Sequence, residues 1–547
     1  MTALSQSGLY RKLVSTAESR PDAPAITFCG PGTRAEVLYS FGRLHDTAAE
    51  LGSRLKPVIS DRSSPIGLLL SSQEDQVLHY LAALSIGVIP GILTPPNRKL
   101  NRSYYAQTMK EVLHRSGFGT IITDVAGLES QAHTLKPYTF DVVSGGVPKT
   151  ASSDQALSVP FIQFSSGTTG IKRGVLVPDE AVLAQLEVYG AAIGLEESDC
   201  IVSWLPLYHD MGFIACLNLP LAFGAHTVMI DPIDWVSNPA LYMQIVSKYS
   251  GSLSWHPNFA YAFMAERIRA ADLDGVDVSS LRALVNCSEP VTYKSQQLFL
   301  RRFEEWGLRN DVFKGCYAMA ETTFALTHGN SNDPASLDHV GPTDGTVTGA
   351  SPNVSVGQPL PGVELRIVRT NDLEELPDRE VGEILVRSPF NFSGYYNDAT
   401  TTRRAVVAGW YRTGDLGYRV GDQFFVVGRL KDVLIVAGVN VFPQDIEELV
   451  SQIDGVLPGR VSAFASFDNR LQTEHVVVLA ESEDHESEIG KLMVREIRQR
   501  VLAAFQIGNF EVLLLPPGWL VKSTSGKMAR GANHDKWLEQ SAMSRPE

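Results

Sequence analysis

The chain has little cysteine. Five residues, Cys29, Cys200, Cys216, Cys287 and Cys316, are scattered over 547 positions with no C-x-x-C pair. That odd, dispersed set excludes a disulfide framework and a structural zinc site, and a reducing cytoplasmic compartment is expected. Positive charge is also scarce: 47 Lys and Arg stand against 61 Asp and Glu, a net charge of −14. A general nucleic-acid binder needs a basic face, so no nucleic-acid partner is expected, although a local nucleotide pocket stays compatible. Long apolar runs are missing too. The most apolar window, Val77 to Leu93, contains His79, Tyr80, Ser85 and Pro90, and reads as a helix and a strand of a core. No membrane span is expected from it. The first residues offer neither a basic start nor an apolar core, so no signal peptide is expected. No internal repeat is visible.

What is present is alternation. Ile66–Leu70, Gly87–Ile92 and Ile121–Asp124 read as short apolar strands, with a helix over Asp75–Ser85 between the first two. A further helix near Ala181–Ala192 leads into Cys200–Gly212, and Leu281–Pro290 and Val312–Thr322 each read as a strand ending in a polar turn. Strands separated by helices imply βαβ units, and polar strand ends are where open α/β sheets bind ligands. Residues 327–357, rich in Gly, Ser, Asn, Asp and Pro, read as a long loop; Val363–Arg369, Val381–Val386 and Gln423–Val427 read as a small β unit. After Arg429 the pattern becomes α+β, with a helix from Gln444, strands around Ser462 and Val476, a helix from Glu486 and a tail beyond Val512. The acidic run Glu481–Glu488 reads as a solvated loop. The expected fold class is therefore α/β: a large N-terminal domain (residues 1–428) with parallel-type sheets and the small β unit, and a small α+β C-terminal domain (residues 429–547).

One stretch carries chemistry on its face. Phe161–Val175, spelled FIQFSSGTTGIKRGV, passes from a short strand into Ser165, Ser166, Gly167, Thr168, Thr169 and Gly170, then Lys172 and Arg173. Glycines admit an oxyanion close to the backbone, and hydroxyls, N–H groups and cations supply donors, which makes a phosphate cradle. The same composition also suits an ordinary surface turn. It is not a Walker A loop, because Lys172 stands where the second glycine belongs.

Seven polar stretches, at Ser165, Leu205, Ser288, Tyr317, Tyr411, Gly428 and Ser525, occur in an order that resembles the adenylate-forming acyl ligases over nearly the whole chain. This superfamily joins a carboxylic acid to AMP and then passes the acyl group to a thiol. The resemblance implies ATP, Mg²⁺, and CoA or a carrier-protein phosphopantetheine as cofactors and partners. It implies Ser165–Arg173 at the β- and γ-phosphates, with Lys172 and Arg173 departing from the usual Pro-Lys spelling. Ser288, Glu289, Pro290, Cys316, Tyr317 and Ala318 would wrap adenine, with Tyr317 stacked on the base. Glu321 would hold Mg²⁺, a hard cation suited to carboxylate and phosphate oxygen. Ala320 replaces the usual threonine, leaving Thr322 or Thr323 to supply a hydroxyl near the α-phosphate. Asp415, following a turn in Trp410–Asp415, would accept both ribose hydroxyls with Arg429 beside it. Lys527 would be the catalytic cation, and Lys431 the hinge of a mobile small domain.

By the same resemblance, Trp204, Tyr208, His209, Met211, Ser254, Phe259 and Tyr261 would line the acyl pocket, with His209 a gate. No Asp or Lys there is placed for a substrate amine, so a fatty acid or a bulky apolar acid of secondary metabolism suits better than an amino acid. Leu205–Gly212, Pro257–Tyr261, Ala318–Glu321 and Phe442–Glu447 are similar to the fatty acyl-AMP ligase branch, which hands its product to a carrier protein. The short Gly394–Thr413 stretch offers no obvious room for that branch's inserted segment, while the long loop at 327–357 has length to hold some of it; the balance lies modestly with a CoA ligase. A catalytically dead regulator is the alternative of another class; Lys527, Glu321 and Asp415 are all present. A luciferase-type enzyme, a P-loop phosphotransferase and a scaffold explain less.

Overall fold

The computed structural model describes residues 7–30, 36–59, 61–62, 64–96, 105, 109, 112, 118–124, 132–135, 140–144, 159–165, 173–329, 336–343, 352–436, 439–468, 473–505, 507, 510–522 and 527–543. Two large sheets organise the N-terminal part. One has seven strands, with Phe313–Gly315, Ala283–Asn286, Leu253–His256, Cys200–Ser203, His226–Ile230 and Pro24–Cys29 running parallel in that spatial order and Val37–Ser40 antiparallel at the edge. These strands are short and buried on both sides, as the continuous apolar spelling of ALVN and CIVS requires when helices cover both faces. The other sheet has eight strands and is mixed: Pro90–Ile92, Ile66–Leu69 and Thr120–Thr123 are parallel neighbours, while Phe140–Ser144 and Ala132–Leu135 fold back antiparallel beside them. Its far edge is the hairpin Ile162–Phe164 with Gly174–Leu176, extended by Gly394–Tyr395.

Helices enter where the sequence caps them. Ser72 accepts from the Asp75 N–H at the start of Gln73–Ser85, and Ser40 accepts from the Arg43 N–H at Phe41–Leu55. A single large core runs from Leu9 to Phe424 through both sheets. The antiparallel unit is built from Glu364–Val368, Gly382–Arg387, Trp410–Val420 and Gln423–Arg429. Beyond it, a second core begins at Leu434 and ends at Val512, under the sheet Val461–Asp468, Thr473–Glu481 and Phe510–Leu515 and the helices Pro443–Ser451 and Glu488–Phe505.

Four sequence expectations change. The 327–357 stretch carries ordered pairs, Thr327–His328 with Gln358–Pro359 and Leu337–Asp338 with Asn353–Val354, because Asp338 is held by Arg379 and the Tyr418 hydroxyl. Trp410–Val420 is one strand of eleven residues, so Asp415 sits within a strand and not after a turn. Glu481 is not solvated: it is 1% exposed and accepts the backbone N–H groups of Gly518 and Leu520, with Arg460 3.6 Å away. The tail holds a strand, Phe510–Leu515, and a helix, Arg530–Met543.

Candidate active site

The parallel pair Asn286↔Gly315 brings two strand ends together, so Cys287-Ser288 and Cys316-Tyr317 emerge side by side. Cys316 donates its N–H to the Asn286 carbonyl at 3.1 Å, which fixes the second turn against the first. Ser288 adopts φ 74°, a left-handed conformation that a non-glycine residue holds only when its surroundings impose it. Such strain concentrates at functional turns. Beside Ser288, Glu289 accepts the Phe259 N–H at 3.1 Å and so ties the turn to the helix Asn258–Arg267. Pro290 is exposed on the far side of the turn, and Ala318 is bridged to Ala325.

Asp415 and Arg429 lie directly opposite each other on neighbouring antiparallel strands. Their side chains meet at 3.0 Å, and the Tyr317 hydroxyl donates to the other Asp415 oxygen at 2.7 Å. The carboxylate holds the Arg429 guanidinium above its usual range, and burial drives the Tyr317 phenol well up. The three residues form one polar wall in the absence of any sugar.

Glu321 stands on the short turn Ala320–Thr322, with its carbonyl accepting the Phe392 N–H at 2.8 Å. Burial raises its carboxyl pKa, opposed by the Tyr395 hydroxyl, which donates to it at 2.8 Å. Tyr411 approaches the Tyr395 hydroxyl at 3.4 Å. The neighbouring threonines turn inward: Thr322 donates to the Met319 and Phe324 carbonyls, both at 3.2 Å, and Thr323 donates to the Phe390 carbonyl at 2.9 Å. Both are 0% exposed. Their hydroxyls hold the strained turn, with Thr323 at φ 65°, and do not line the cleft as expected for an α-phosphate donor.

Of the phosphate-cradle residues, Ser165 and Arg173 close the hairpin, with the Ser165 N–H on the Arg173 carbonyl at 2.9 Å. The Arg173 guanidinium lies 5.8 Å from the Tyr395 ring centre and 3.7 Å from Asp398. Ser166, Gly167, Thr168, Thr169, Gly170 and Lys172 lie outside the described residues. The base of the loop is thereby connected through Tyr395 to Glu321.

Lys527 comes from the other core. Its ammonium donates to the Ser288 carbonyl, a contact spanning 239 positions of chain. Asp210 feels the same cation: burial raises its carboxyl pKa, and the Lys527 charge pulls it down. Asp210 accepts the Met211 N–H at 2.9 Å, within a segment kept tight by Gly212, whose Cβ would fall 2.4 Å from the Pro206 carbonyl oxygen. Lys431 sits on the surface turn Leu430–Asp432. Arg530, three residues past Lys527, donates to both Glu447 oxygens at 2.7 Å and to Asp432 at 3.2 Å.

The expected acyl-pocket residues divide. Tyr208, His209 and Phe259 are part-exposed, with the Tyr208 and His209 rings 4.9 Å apart, and Met211 receives the Cys287 thiol at 3.5 Å. Trp204, Ser254 and Tyr261 belong to the packed interior instead. Trp204 donates to His256 at 2.9 Å, Ser254 to the Val202 carbonyl at 2.6 Å, and Tyr261 to the Val285 carbonyl at 3.2 Å. Sequence reasoning passed over Asp210, Tyr395, Tyr411 and His256. Asp210 had a signal, because it lies between His209 and Met211; the two tyrosines are joined to Glu321 only by tertiary folding. Among the described residues no cluster of three or more His, Cys, Asp or Glu could hold a metal ion alone. A lone carboxylate completed by nucleotide phosphates still suits Mg²⁺, which is commonly held by one or two carboxylates plus phosphates.

The sequence profile of the AMP-binding enzyme family matches residues 13–396. The long-chain-fatty-acid–AMP ligase FadD26 of Mycobacterium marinum is 28% identical over 571 aligned positions, covering 95% of each chain. A structure from a study of fatty acyl-adenylate ligases of E. coli and L. pneumophila superposes with a TM-score of 0.85 at 23% identity over 100% of both chains. The McyG adenylation and carrier-protein structure with phenylalanyl-adenylate gives a TM-score of 0.82 at 24% identity, covering 99% of this chain and 96% of its own. These likenesses, below 25% identity, speak for the fold.

Proposed function

The chain belongs to the AMP-binding enzyme family, and from that premise we propose that it adenylates a carboxylic acid with an apolar body and passes the acyl group to a phosphopantetheine thiol. In the first half-reaction a substrate carboxylate oxygen attacks the α-phosphorus of ATP, the bond to pyrophosphate breaks, and an acyl-adenylate forms. In the second, the thiolate attacks the acyl carbonyl, a C–S bond forms, and AMP leaves.

The observation that carries the proposal is the Lys527 ammonium seated on the Ser288 carbonyl, beside the Tyr317–Asp415–Arg429 wall. A cation at that junction neutralises two anions that would otherwise repel, and stabilises the charge that grows between them. Tyr317 offers a ring face to the base, and Asp415 offers oxygens to the ribose, with Arg429 holding it in place at 3.0 Å. Glu321 would hold Mg²⁺, which when bound offsets the charge of the polyphosphate. The pantetheine thiol is shared by CoA and carrier protein, and both thiols belong in the assay. The free cysteines support a cytoplasmic setting; no helix among the described residues is long and apolar enough to cross a membrane.

ATP–pyrophosphate exchange over a panel of acids tests the first half, and thioester analysis with CoA and with holo carrier protein tests the second. Exchange with no acid rejects the enzyme reading in favour of a nucleotide-binding regulator. Thioester on carrier protein alone moves the chain to the acyl-AMP ligase branch.

A further inference from the structure

Packed against the turn that carries Lys527's partner is a cluster of buried aromatic side chains. The Trp204 and Trp235 rings stack at 3.6 Å with 2° between their planes. They are 5% and 0% exposed. Phe259 packs edge-on against both, at 6.3 and 6.4 Å, and its backbone N–H is the one held by Glu289, next to Ser288. The stacked indoles are therefore joined to the Ser288 turn through a single residue, Phe259.

The wall is also locked. Trp204 donates its indole N–H to His256 Nδ1 at 2.9 Å, which leaves the proton of His256 on Nε2, 3.1 Å from the Ser254 hydroxyl; Ser254 donates onward to the Val202 carbonyl. Burial pushes His256 down to about 3, so it stays neutral and in that tautomer. Swinging Trp204 aside would break the stack and strand His256 without its donor, in a place where an unmet polar atom is costly. A second layer stands behind: the Tyr242 and Tyr261 rings pack edge-on against His256 at 4.8 and 5.4 Å, and Tyr261 in turn meets Phe313 at 4.9 Å. Trp204, Trp235, Tyr242, His256 and Tyr261 are all buried, so side chains fill the region behind the stack.

We propose that the Trp204–Trp235 stack, clamped by His256, ends the acyl pocket, so that the enzyme selects a short or flat acid, of the size of hexanoate or benzoate, and rejects long alkyl chains. This rests on the adenylation reading above. Rigid pockets discriminate against added methylenes by about 10- to 200-fold each when the extra group has nowhere to go.

The test is pyrophosphate exchange with benzoate, phenylacetate, hexanoate, octanoate, dodecanoate and palmitate, run on the wild type and on Trp235→Leu. Trp235 is the safer position to open, because its indole N–H has no hydrogen-bond partner among the described residues and its removal leaves none unmet. The wild type is expected to favour the first three acids over dodecanoate by about tenfold or more in kcat/KM. Trp235→Leu is expected to shift that ratio toward dodecanoate by a similar factor. A wild type that prefers dodecanoate or palmitate overturns the wall while leaving adenylation intact. A folded Trp235→Leu, judged by its melting curve, with an unchanged acid profile overturns it equally. Exchange with no acid at all overturns both readings. Should Trp235→Leu fail to fold, the wild-type profile and the smaller change Trp235→Phe still decide.

Discussion

Single side chains carry the chemistry, and each makes a separable claim. Removing the Lys527 ammonium takes away the hydrogen bond that sets a positive charge of the C-terminal tail on the Ser288 carbonyl. Lys527→Ala is expected to lower pyrophosphate exchange by about 10² to 10³ while leaving the melting temperature nearly unchanged, since one preorganised donor is worth that much in a dry site. His256 makes a claim about acid. Its pKa in the fold is depressed to about 3 from the usual 6.5 by burial, so the unfolded chain binds a proton that the folded one refuses. Stability tied to it is present above pH 6.5 and is lost as pH falls toward 3, at about 1.4 kcal/mol per pH unit. Urea titrations of wild type and His256→Gln should show a gap that is widest near neutrality and narrows by that slope below pH 6.5. A constant gap would assign His256 a packing role alone. Of the site residues, Lys527, Glu321, Asp415 and Tyr317 are recognisable from their local spellings. Tyr395 and the inward-facing Trp204, Ser254 and Tyr261 are not, because a hydroxyl or indole declares its direction only once its acceptor is in place.

At the scale of elements, the strand ends do the positioning. Cys287-Ser288 and Cys316-Tyr317 are adjacent because Asn286 and Gly315 are paired in a parallel register, a relation that a separation of 29 positions conceals. The alternation of apolar strands and helices that predicts a parallel sheet is legible in the composition of each segment. The antiparallel return of Phe140–Ser144 and Ala132–Leu135 is not, since pairing direction depends on partners elsewhere. Glu481 shows the same limit. Its acidic neighbourhood reads as solvated, yet it anchors Gly518 and Leu520, the residues from which the Lys527 segment sets out. Glu481→Gln keeps the shape and removes the charge. It is expected to cost about 1.5–3 kcal/mol, the worth of hydrogen bonds to a charged group, and to lower exchange by loosening that segment. Chemical denaturation and exchange measured on the same variant check it; an exchange rate equal to wild type would separate the anchor from the site.

Two large cores among the described residues are joined by polar contacts and by a small apolar cluster in which Phe442 packs with Leu416, Tyr418, Phe425 and Val427. One core runs from Leu9 to Phe424 and the other from Leu434 to Val512, and the contacts between them include Lys527 on Ser288 and Gln444 on Val427. Separate cores unfold separately. Calorimetry is expected to resolve two transitions, and a non-reactive acyl-adenylate mimic to raise the first by about 2.7 kcal/mol at a hundred times its Kd, because it binds only the joined form. One transition unmoved by the mimic would contradict a site built between the two cores.

The sequence by itself determined the α/β class, the two-part division and the order of polar turns, since these depend on local hydrophobic period, turn chemistry and the spelling of short motifs. Only the tertiary structure decided which oxygen Lys527 faces, that Asp415 and Arg429 are cross-strand partners, and that Trp204 stacks on Trp235 in the packed interior. These groups lie from 14 to 239 positions apart, and their meeting is governed by sheet register and core packing.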